Sequence, residues 1–471
     1  MFQIPRVSQT RLPFLLLAAA LSGCVMADRP AGGVVVPTQW QHDPSRAGAL
    51  DTAALANWWK RFRDPVLDQL VARAFESNTD LRTTVVRVEE SRARRGVTKA
   101  ALLPSLNGSS GARHSWTRDS RTGVDIHSHS ESYSGSLDAG WEIDWFGKLR
   151  KELKAADAEV AAAEENRRAM EVAVSAEVAD AYVALRVAEA QLRVIRRSVA
   201  TSEETAEMTR WQEQAGEGTA LATQQARASL GQSRASIPGV EQSIGQAKDR
   251  LALLVGVAPG MLNGLLAKGG GVPKAPAKLA TGIPADTLRN RPDIRSAEHS
   301  LMAAAARTRA AELEQLPSLS LSGSVGLEAL TTGTIFSPEL AAASAAGQLT
   351  APIFNGGRIR ETIRLQSAQE KQALIAWEAS VLGALSEVED ALIAVKKSDE
   401  RLALLADATQ AAREAESLAR LNFQAGQVDL LDVLVAQRTL LNLEESQAIA
   451  EGNRASAHIQ LYKALGGGWT P

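Results

Sequence analysis

The sequence has a single cysteine, few aromatic residues and no excess of charge of either sign. Cys24 is the one cysteine among 471 residues, which excludes an intrachain disulfide and any metal or redox site made of paired cysteines. Aromatic residues are 4% of the chain, so alanine and leucine must fill most of its core. With 52 basic and 54 acidic residues the formal net charge is -2, so nucleic acid is not expected as a partner.

Motifs of enzymes are also missing. The sequence has no nucleophile elbow, phosphate-binding loop, dinucleotide fingerprint or acid–base pair, so we predict no catalytic residue and no cofactor. The histidines are scattered except for His127 and His129, which we place in the loop between the first two predicted strands. Two histidines in a polar loop are more often solvated than metal-bound, so no metal site is predicted.

The first apolar run of the chain is too short to span a bilayer. It covers Leu12–Leu21 behind two arginines, which is typical of a signal peptide, here residues 1–23. The run ends in Leu21-Ser-Gly-Cys24, which resembles the lipobox of bacterial lipoproteins. This resemblance implies cleavage before Cys24 and a diacylglycerol attached to its thiol through a thioether. Palmitate is expected among the fatty acids of this lipid. Val25, where inner-membrane lipoproteins have aspartate, implies sorting to the outer membrane.

Two halves of the chain repeat one another. Asp80-Leu-Arg82 is matched 213 residues later by Asp293-Ile-Arg295, Leu103-Pro-Ser-Leu106 recurs at the same offset, and Gln214-Ala-Gly216 recurs 210 residues later. Solenoid units repeat about every 20–50 residues, so the much longer period here indicates a duplicated half-molecule. The predicted parts are an N-terminal extension (24–64), a first repeat (65–267), a linker (268–284), a second repeat (285–465) and a C-terminal tail (466–471).

Each half contains one very long predicted helix. Between Gly147 and Gly216 there is no glycine or proline, and apolar residues recur in steps of three and four. At about 1.5 Å per residue such a helix is about 100 Å long, and it must pack against neighbouring helices to be stable. A short turn and a returning helix follow, and Pro238 is expected to kink or break the first returning helix. The predicted helical hairpins cover about 147–256 and about 357–465.

Each half also contains a pair of predicted strands. Apolar and polar side chains alternate in four runs, residues 106–116, 133–145, 318–328 and 343–353. We assign the strands to about 102–146 and about 317–354. Runs of this length suit tilted strands that cross a membrane, and a half-buried sheet of a water-soluble domain is the alternative.

Four strands are too few to close a barrel in a membrane. The smallest membrane barrels have about eight strands, and an open edge in lipid would leave backbone groups unpaired. Two, three or four copies of the chain would satisfy this requirement. The long helices would then form a helical tube on the same axis, a shape that suggests conduction.

Four segments carry motifs of one known family. They are Trp141–Arg150, Gly282–Glu298, Ala351–Arg360 and Leu461–Trp469. These segments resemble hallmarks of the outer-membrane efflux proteins, the outer-membrane factors of tripartite efflux pumps and type I secretion systems, and in particular of the lipoprotein branch. The resemblance spans nearly the whole chain after Cys24.

The resemblance implies an α+β membrane protein. In this family a homotrimer forms an α-barrel from long antiparallel helical hairpins, continuous with a 12-stranded transmembrane β-barrel of four strands per chain. It implies a lipid-anchored and integral protein of the outer membrane, with a large periplasmic portion and an equatorial belt from the terminal segments. The implied partners are a periplasmic adaptor and an inner-membrane transporter, commonly proton-driven. The implied function is a passive exit duct for drugs or other toxic small molecules.

In the family, the tips of the hairpins close the periplasmic end with leucines and a ring of carboxylates. The matching positions are Leu431 and Asp432, and Val435 stands where a second carboxylate is expected. Asp429 is a further gate candidate whose simpler interpretation is a helix N-cap, and for Asp432 a gate and a helix-terminal acid both remain open. The tip residues assigned to adaptor docking are Gly216, Gly218, Thr219, Leu221 and Gly426.

Three alternatives to a drug-efflux duct remain. They are a heavy-metal cation efflux duct, a type I protein-secretion duct, and a lipid-anchored coiled-coil scaffold without a pore. Single-channel current would separate a duct from the scaffold, because a scaffold conducts nothing. The lipobox and the Leu461–Trp469 ending favour the small-molecule branch over protein export.

Overall fold

A long helical hairpin and a pair of β-strands occur in each half of the chain. The structure is a computed structural model that describes residues 33–42, 55–119, 126–268, 270–275, 284–329 and 341–469. Cys24, the predicted signal peptide and part of the predicted linker lie outside the described residues. The described residues from Val34 onward belong to one compact unit, Val34–Pro471.

Two helices, two strands and a helical hairpin follow one another in the same order in both halves. The first half contains a 3₁₀ helix (Trp58–Phe62), α1 (Pro65–Ser77), α2 (Thr79–Ala100), β1 (Ser105–Asp119), β2 (Ile126–Ile143), α3 (Lys148–Ala215), α4 (Ala220–Val255) and α5 (Asn263–Leu266). The second half contains α6 (Pro284–Asn290), α7 (Pro292–Leu313), β3 (Ser318–Ala329), β4 (Ala341–Thr350), α8 (Arg358–Gln424) and α9 (Leu430–Ala464). Helices α3 and α8 have 68 and 67 residues, and α4 and α9 have 36 and 35, so the duplication extends to helix length.

Each long helix packs against the helix that follows it. α3 contacts α4, α8 contacts α9, and α3 also contacts α9, so the hairpins of the two halves pack on one another. Gly216 ends α3 with a φ of 78°, the left-handed conformation that glycine adopts without strain. Among the described residues, we find no helix with the length and hydropathy needed to span a membrane.

The helix after the first turn is continuous. α4 runs through Pro238, so the predicted break at this residue is wrong. Pro238 is exposed, and so is Arg234, the residue whose carbonyl the proline leaves without a helical partner. Packing along α3 supports the turns on both sides of the proline, which is why the helix persists.

The four strands form one antiparallel sheet in the order β1-β2-β3-β4. The pairing of β2 with β3 joins the two halves of the chain, with Tyr133 opposite Ala329 and Ile143 opposite Leu319. β2 begins at Ile126, well before the apolar alternation from which it was predicted.

This longer strand changes the position of the two neighbouring histidines. His127 and His129 lie within β2, so their predicted place in a loop is wrong. Backbone hydrogen bonds between strands form with any side chain except that of proline. β2 can therefore extend beyond the alternating residues from which it was predicted.

Aromatic residues before α1 pack against the end of α9. Trp58 is fully buried and stacks on Tyr462, with 5.2 Å between the ring centroids and 14° between the planes. Trp59 and Phe62 lie edge-on to Trp58 at 5.9 and 6.0 Å. These contacts place the first described helical residues in the same core as the C-terminal end of α9.

Two related contacts fasten the returning helices to the helices that precede the strands. Asn78, the N-cap of α2, donates from Nδ2 to the carbonyl of Leu254 at 2.7 Å. Its counterpart 213 residues later, Arg291, donates from Nη1 to the carbonyl of Ala464 at 2.9 Å. The end of the returning helix is therefore held by an asparagine in the first half and by an arginine in the second half.

Candidate functional site: sheet faces and hairpin tips

One face of the sheet is apolar and is not covered by the rest of the chain. It carries Leu106, Leu137, Leu321, Val325 and Leu349, all of them exposed. Leu106 is 70% and Leu349 is 69% exposed, which is far from the burial of an ordinary core. Extended apolar surfaces of this kind mark contact with a membrane or with another protein.

The opposite face carries hydroxyl groups. Side-chain oxygens of facing serines lie 2.8 Å apart in three cross-strand pairs, Ser109–Ser136, Ser115–Ser130 and Ser324–Ser344. Asp138 extends this polar face and accepts a hydrogen bond from Ser136 at 2.7 Å. A sheet with one lipid-compatible face and one hydrated face has the side-chain pattern of the wall of a membrane pore.

The strands are long enough for such a wall. β1, β2, β3 and β4 have 15, 18, 12 and 10 residues, whereas a tilted membrane strand needs about 9–11. Aromatic side chains are exposed where strands lead into long helices, namely Trp145 and Phe146 after β2 and Phe354 after β4. Aromatic residues are favoured at membrane–water interfaces, so these positions suit the boundary of a lipid-facing band.

Asp144 fixes the junction between β2 and α3. Its carboxylate accepts hydrogen bonds from the backbone N–H groups of Leu149 and Arg150 at 3.1 and 3.0 Å, and from Nε of Arg150 at 3.0 Å. Burial acts to raise the pKa of Asp144, but these hydrogen bonds and the arginine charge together hold the pKa below its usual value. The predicted motif Trp141–Arg150 thus forms the connection between the sheet and the first turn of the long helix.

The tip of the first hairpin is a tight glycine turn. The N–H groups of Glu217 and Gly218 donate to the carbonyl of Gln212 at 2.8 and 3.0 Å. Thr219 caps α4 by accepting a hydrogen bond from the N–H of Ala222 at 3.2 Å. Leu221 is exposed one residue into the helix. The residues assigned to adaptor docking therefore lie together at one hairpin end, except Gly426, which occupies the equivalent turn of the second hairpin.

The tip of the second hairpin contains the gate candidates. Asp429 and Asp432 form a capping box at the start of α9, in which the N–H of Asp429 donates to Oδ2 of Asp432 at 3.3 Å. Leu431 is 59% exposed, and Val435 is exposed one turn further along the same side of the helix. Leu430 is buried instead. Both aspartates therefore have a structural task in this chain, while Leu431 points away from its own hairpin.

Sequence reasoning missed a contact between the two hairpins near their tips. Nε2 of Gln437 on α9 donates to the hydroxyl of Thr205 on α3 at 3.1 Å, in a buried position. The two residues are 232 positions apart, and polar residues on a helical stripe give no sign of such a partner. The duplicated pattern predicts that the hairpins are related, but it does not reveal which side chains join them.

The structure also brings together residues that the sequence left apart. His129 lies beside His114 and Glu131 on neighbouring strands, whereas His127 is not part of this group. His114 was among the scattered histidines, and Glu131 carried no signal of its own. Their proximity follows from the register that places His114 opposite Glu131.

Comparison with known proteins gives matches over most of the chain. A family model described as outer membrane efflux protein matches residues 70–257 and 283–467. Among curated relatives, the pyoverdine export outer membrane protein OpmQ of Pseudomonas putida is 32% identical over 465 residues, which cover 97% of each chain. The toluene efflux pump outer membrane protein TtgF of Pseudomonas putida is 32% identical over 473 residues, which cover 97% of this chain and 96% of the relative.

A solved structure shares the architecture. The outer-membrane channel OprN matches with a TM-score of 0.86 and 31% sequence identity, covering 93% of this chain and 98% of that channel. The similarity includes both halves, since the matched share exceeds what either half could supply. The predicted fold class of long helical hairpins joined to membrane strands is confirmed.

Proposed function

The chain belongs to the outer membrane efflux protein family, and from that membership we propose that it is the exit duct of a tripartite efflux system. It is a protein of the outer membrane, in a family of transport channels and not of enzymes. In this proposal the duct passively conducts drugs or other toxic small molecules from the periplasmic side to the exterior. The chain itself has no catalytic task.

The observation that carries the proposal is the two-faced sheet. Its exposed apolar face suits lipid and its serine-lined face suits water, while β1 and β4 remain as edges of a sheet of four strands. We infer a homotrimer in which β4 of each chain pairs with β1 of the next, so that a barrel of twelve strands has no open edge. The hairpins of the three chains then line a periplasmic helical tube continuous with the barrel.

We propose that the tips of the second hairpins close this tube. Leu431 is exposed in the single chain, and three such leucines around an axis form a hydrophobic constriction that excludes ions by dewetting. Asp432, beside it, adds three negative charges near the constriction and attracts cations. Asp429 acts as the helix cap beneath them. The first hairpin tip, with Gly216, Gly218, Thr219 and Leu221, and Gly426 on the second tip are the proposed docking points for the adaptor.

The proposed partners supply energy and selection. An inner-membrane transporter, proton-driven in this proposal, loads the substrate, and a periplasmic adaptor joins it to the hairpin tips. A lipid on Cys24 anchors the N-terminus of each chain in the outer membrane. The relatives named for pyoverdine export and toluene efflux are equally similar to this chain, which supports a duct that does not itself choose among small organic molecules.

A deletion strain tests the efflux proposal. We expect the deletion to increase sensitivity to, and accumulation of, some members of a panel of antibiotics, dyes, detergents, solvents and metal salts, and the wild-type gene to reverse this. Cys24→Ser, expressed in parallel, is expected to restore less function if the lipid is required. If the wild-type gene reversed sensitivity to copper or silver salts only, the proposed function would change from drug efflux to metal efflux. Loss of a secreted polypeptide with unchanged sensitivity would contradict small-molecule export.

Purified protein tests the channel separately. We expect ion current when the full chain is inserted into a planar bilayer, and a trimer in detergent by mass measurement. Absence of current from folded trimers would support the coiled-coil scaffold instead.

A further inference from the structure

Three side chains with metal-binding chemistry meet near the loop-side ends of β1 and β2. His114 comes from β1, and His129 and Glu131 come from β2. One possible ligand atom from each of these side chains lies within 4.8 Å of the others. All three are at least partly exposed, and they lie beyond the exposed pair Leu137 and Val325 of the same face, towards the loop-side ends of β1 and β2, so an ion can reach them from the water.

The distances fit a small coordination sphere. Nδ1 of His114 lies 3.2 Å from Oε1 of Glu131, and Nε2 of His129 lies 3.5 Å from the same oxygen. In a tetrahedral zinc site with bonds of about 2.0–2.1 Å, neighbouring ligand atoms are about 3.3–3.4 Å apart. The two measured separations are therefore close to the edges of such a tetrahedron.

Neighbouring rings hold the two imidazoles in place. The rings of His114 and His129 are 4.1 Å apart at 69°, and Trp116 lies edge-on to His114 at 4.4 Å. The hydroxyl of Tyr133 lies 3.5 Å from Oε2 of Glu131, the carboxylate oxygen that does not face the histidines. The ligand atoms are thus positioned by packing and by a polar neighbour, as metal ligands usually are.

We propose that His114, His129 and Glu131 bind a divalent transition-metal ion of the Zn²⁺ type. Two imidazoles and one carboxylate suit Zn²⁺, Ni²⁺ or Cu²⁺ better than Mg²⁺ or Ca²⁺, which prefer oxygen ligands. Three protein ligands leave a fourth tetrahedral position for water or for an external ligand.

The site lies on the outer surface of the sheet and not on the conducting face. His114, His129 and Glu131 share the face of Leu106 and Leu137, whereas the paired serines occupy the other face. An ion bound here joins β1 to β2 and stabilises the folded hairpin, because the unfolded chain lacks the site. The inference is therefore independent of which substrate the duct conducts.

Metal titration of the full-length protein without an affinity tag tests this site. In detergent solution, we expect one Zn²⁺ per chain to bind with saturation, and Co²⁺ at the same site to give the visible absorption of tetrahedral coordination. His114→Ala, His129→Ala and Glu131→Gln are each expected to weaken Zn²⁺ binding by about tenfold or more. His127→Ala is the matched control, since it removes a histidine of the same strand that is outside the cluster, and it should bind as the wild type does.

Thermal unfolding gives a second measurement. Zn²⁺ is expected to raise the Tm of the wild type and of His127→Ala but not of His129→Ala, while the metal-free Tm values agree. Three results would overturn the proposal: no saturable binding at one ion per chain, equal losses in His127→Ala and the cluster variants, or a Co²⁺ spectrum of an octahedral aquo ion.

Discussion

Single residues are most constrained where the end of a helix meets neighbouring backbone. Gly256 follows α4 with a φ of 77°, and a Cβ at this position would collide with the carbonyl oxygen of Ser77. Gly466 has the equivalent place after α9, with a φ of 74°, and lies against Arg291. The repeat makes this pair visible in the sequence, but only the packing shows that the side chain is excluded by a neighbouring backbone.

Gly256→Ala is expected to lower the free energy of unfolding by about 2 kcal/mol or more, since it adds both backbone strain and a steric clash. Gly245→Ala on the same helix is the control, because a Cβ there meets no heavy atom within 4 Å and φ is not positive. The control is expected to change stability by less than about 1 kcal/mol, or to raise it. Thermal unfolding in detergent measures both, and equal effects of the two substitutions would contradict the explanation.

Asp144 predicts a dependence of stability on pH. Its pKa is lowered in the folded protein, so its contribution is present above the pKa of the unfolded chain and is lost as the pH falls through the lower, folded pKa. Asp144→Asn is expected to cost about 1–2 kcal/mol at pH 7, with a difference from wild type that shrinks below about pH 4. Asp157→Asn, at an exposed ion pair with Arg95, should have little effect. A cost for Asp144→Asn that is the same at pH 7 and pH 3.5 would refute the electrostatic account.

At the scale of elements, the sheet is defined by its two faces. Val325 and Ser322 are on the same strand but face opposite sides, Val325 with the exposed leucines and Ser322 with the serines. Alternation in the sequence predicted these faces correctly. It did not predict the start of β2, because the residues from His127 to Ser132 are paired in the sheet but are all polar.

Val325→Asp is expected to reduce the amount of folded protein in the outer membrane, because a carboxylate on the lipid-facing side costs up to about 2 kcal/mol in each chain. Ser322→Asp, on the hydrated face, should leave the membrane level unchanged and shift the current towards cations. Membrane fractionation and ion selectivity in planar bilayers measure these outcomes. If both variants reached the membrane at wild-type levels, the assignment of the faces would fail.

The helices illustrate what a repeat can and cannot reveal. A long stretch without glycine or proline predicted α3, an equivalent stretch interrupted only by Gly383 predicted α8, and the glycine turns predicted where both helices end. The predicted break at the proline in α4 is wrong, because a helix supported along its length by another helix tolerates the loss of one backbone bond.

At the scale of the whole molecule, the gate requires contacts that one chain cannot make with itself. Leu431→Ala is expected to raise the conductance of the resting channel, since a wider and less hydrophobic constriction admits water and ions. Asp432→Asn should reduce cation preference at the same gate. Leu221→Ala, at the equivalent place of the first hairpin, is the control and should leave the resting conductance unchanged.

Wild-type current in the Leu431 and Asp432 variants would remove the gate assignment. A rise in the Leu221 control equal to that of Leu431→Ala would instead show that both tips close the tube.

The buried contact between the hairpins predicts a second route to opening. Thr205→Val keeps the shape of the side chain but removes the oxygen that accepts the hydrogen bond of Gln437. We expect a higher resting conductance or open probability, because the second hairpin is then less firmly held to the first. Thr201→Val is the control, as its hydroxyl donates only to the carbonyl of Arg197 on its own helix. Identical currents in the two variants would show that this contact does not restrain the tips.

The sequence by itself determined the duplication, the two helical hairpins, the alternating faces of the strands and the family. These features are periodic or local, so each is encoded in residues that are neighbours along the chain or recur at a fixed offset. Only the tertiary structure decided the hydrogen bond between Gln437 and Thr205 and the hydrogen bond from Arg291 to the end of α9. The same holds for the cluster of His114, His129 and Glu131. Such contacts depend on strand register and helix packing, which bring together residues that no local pattern relates.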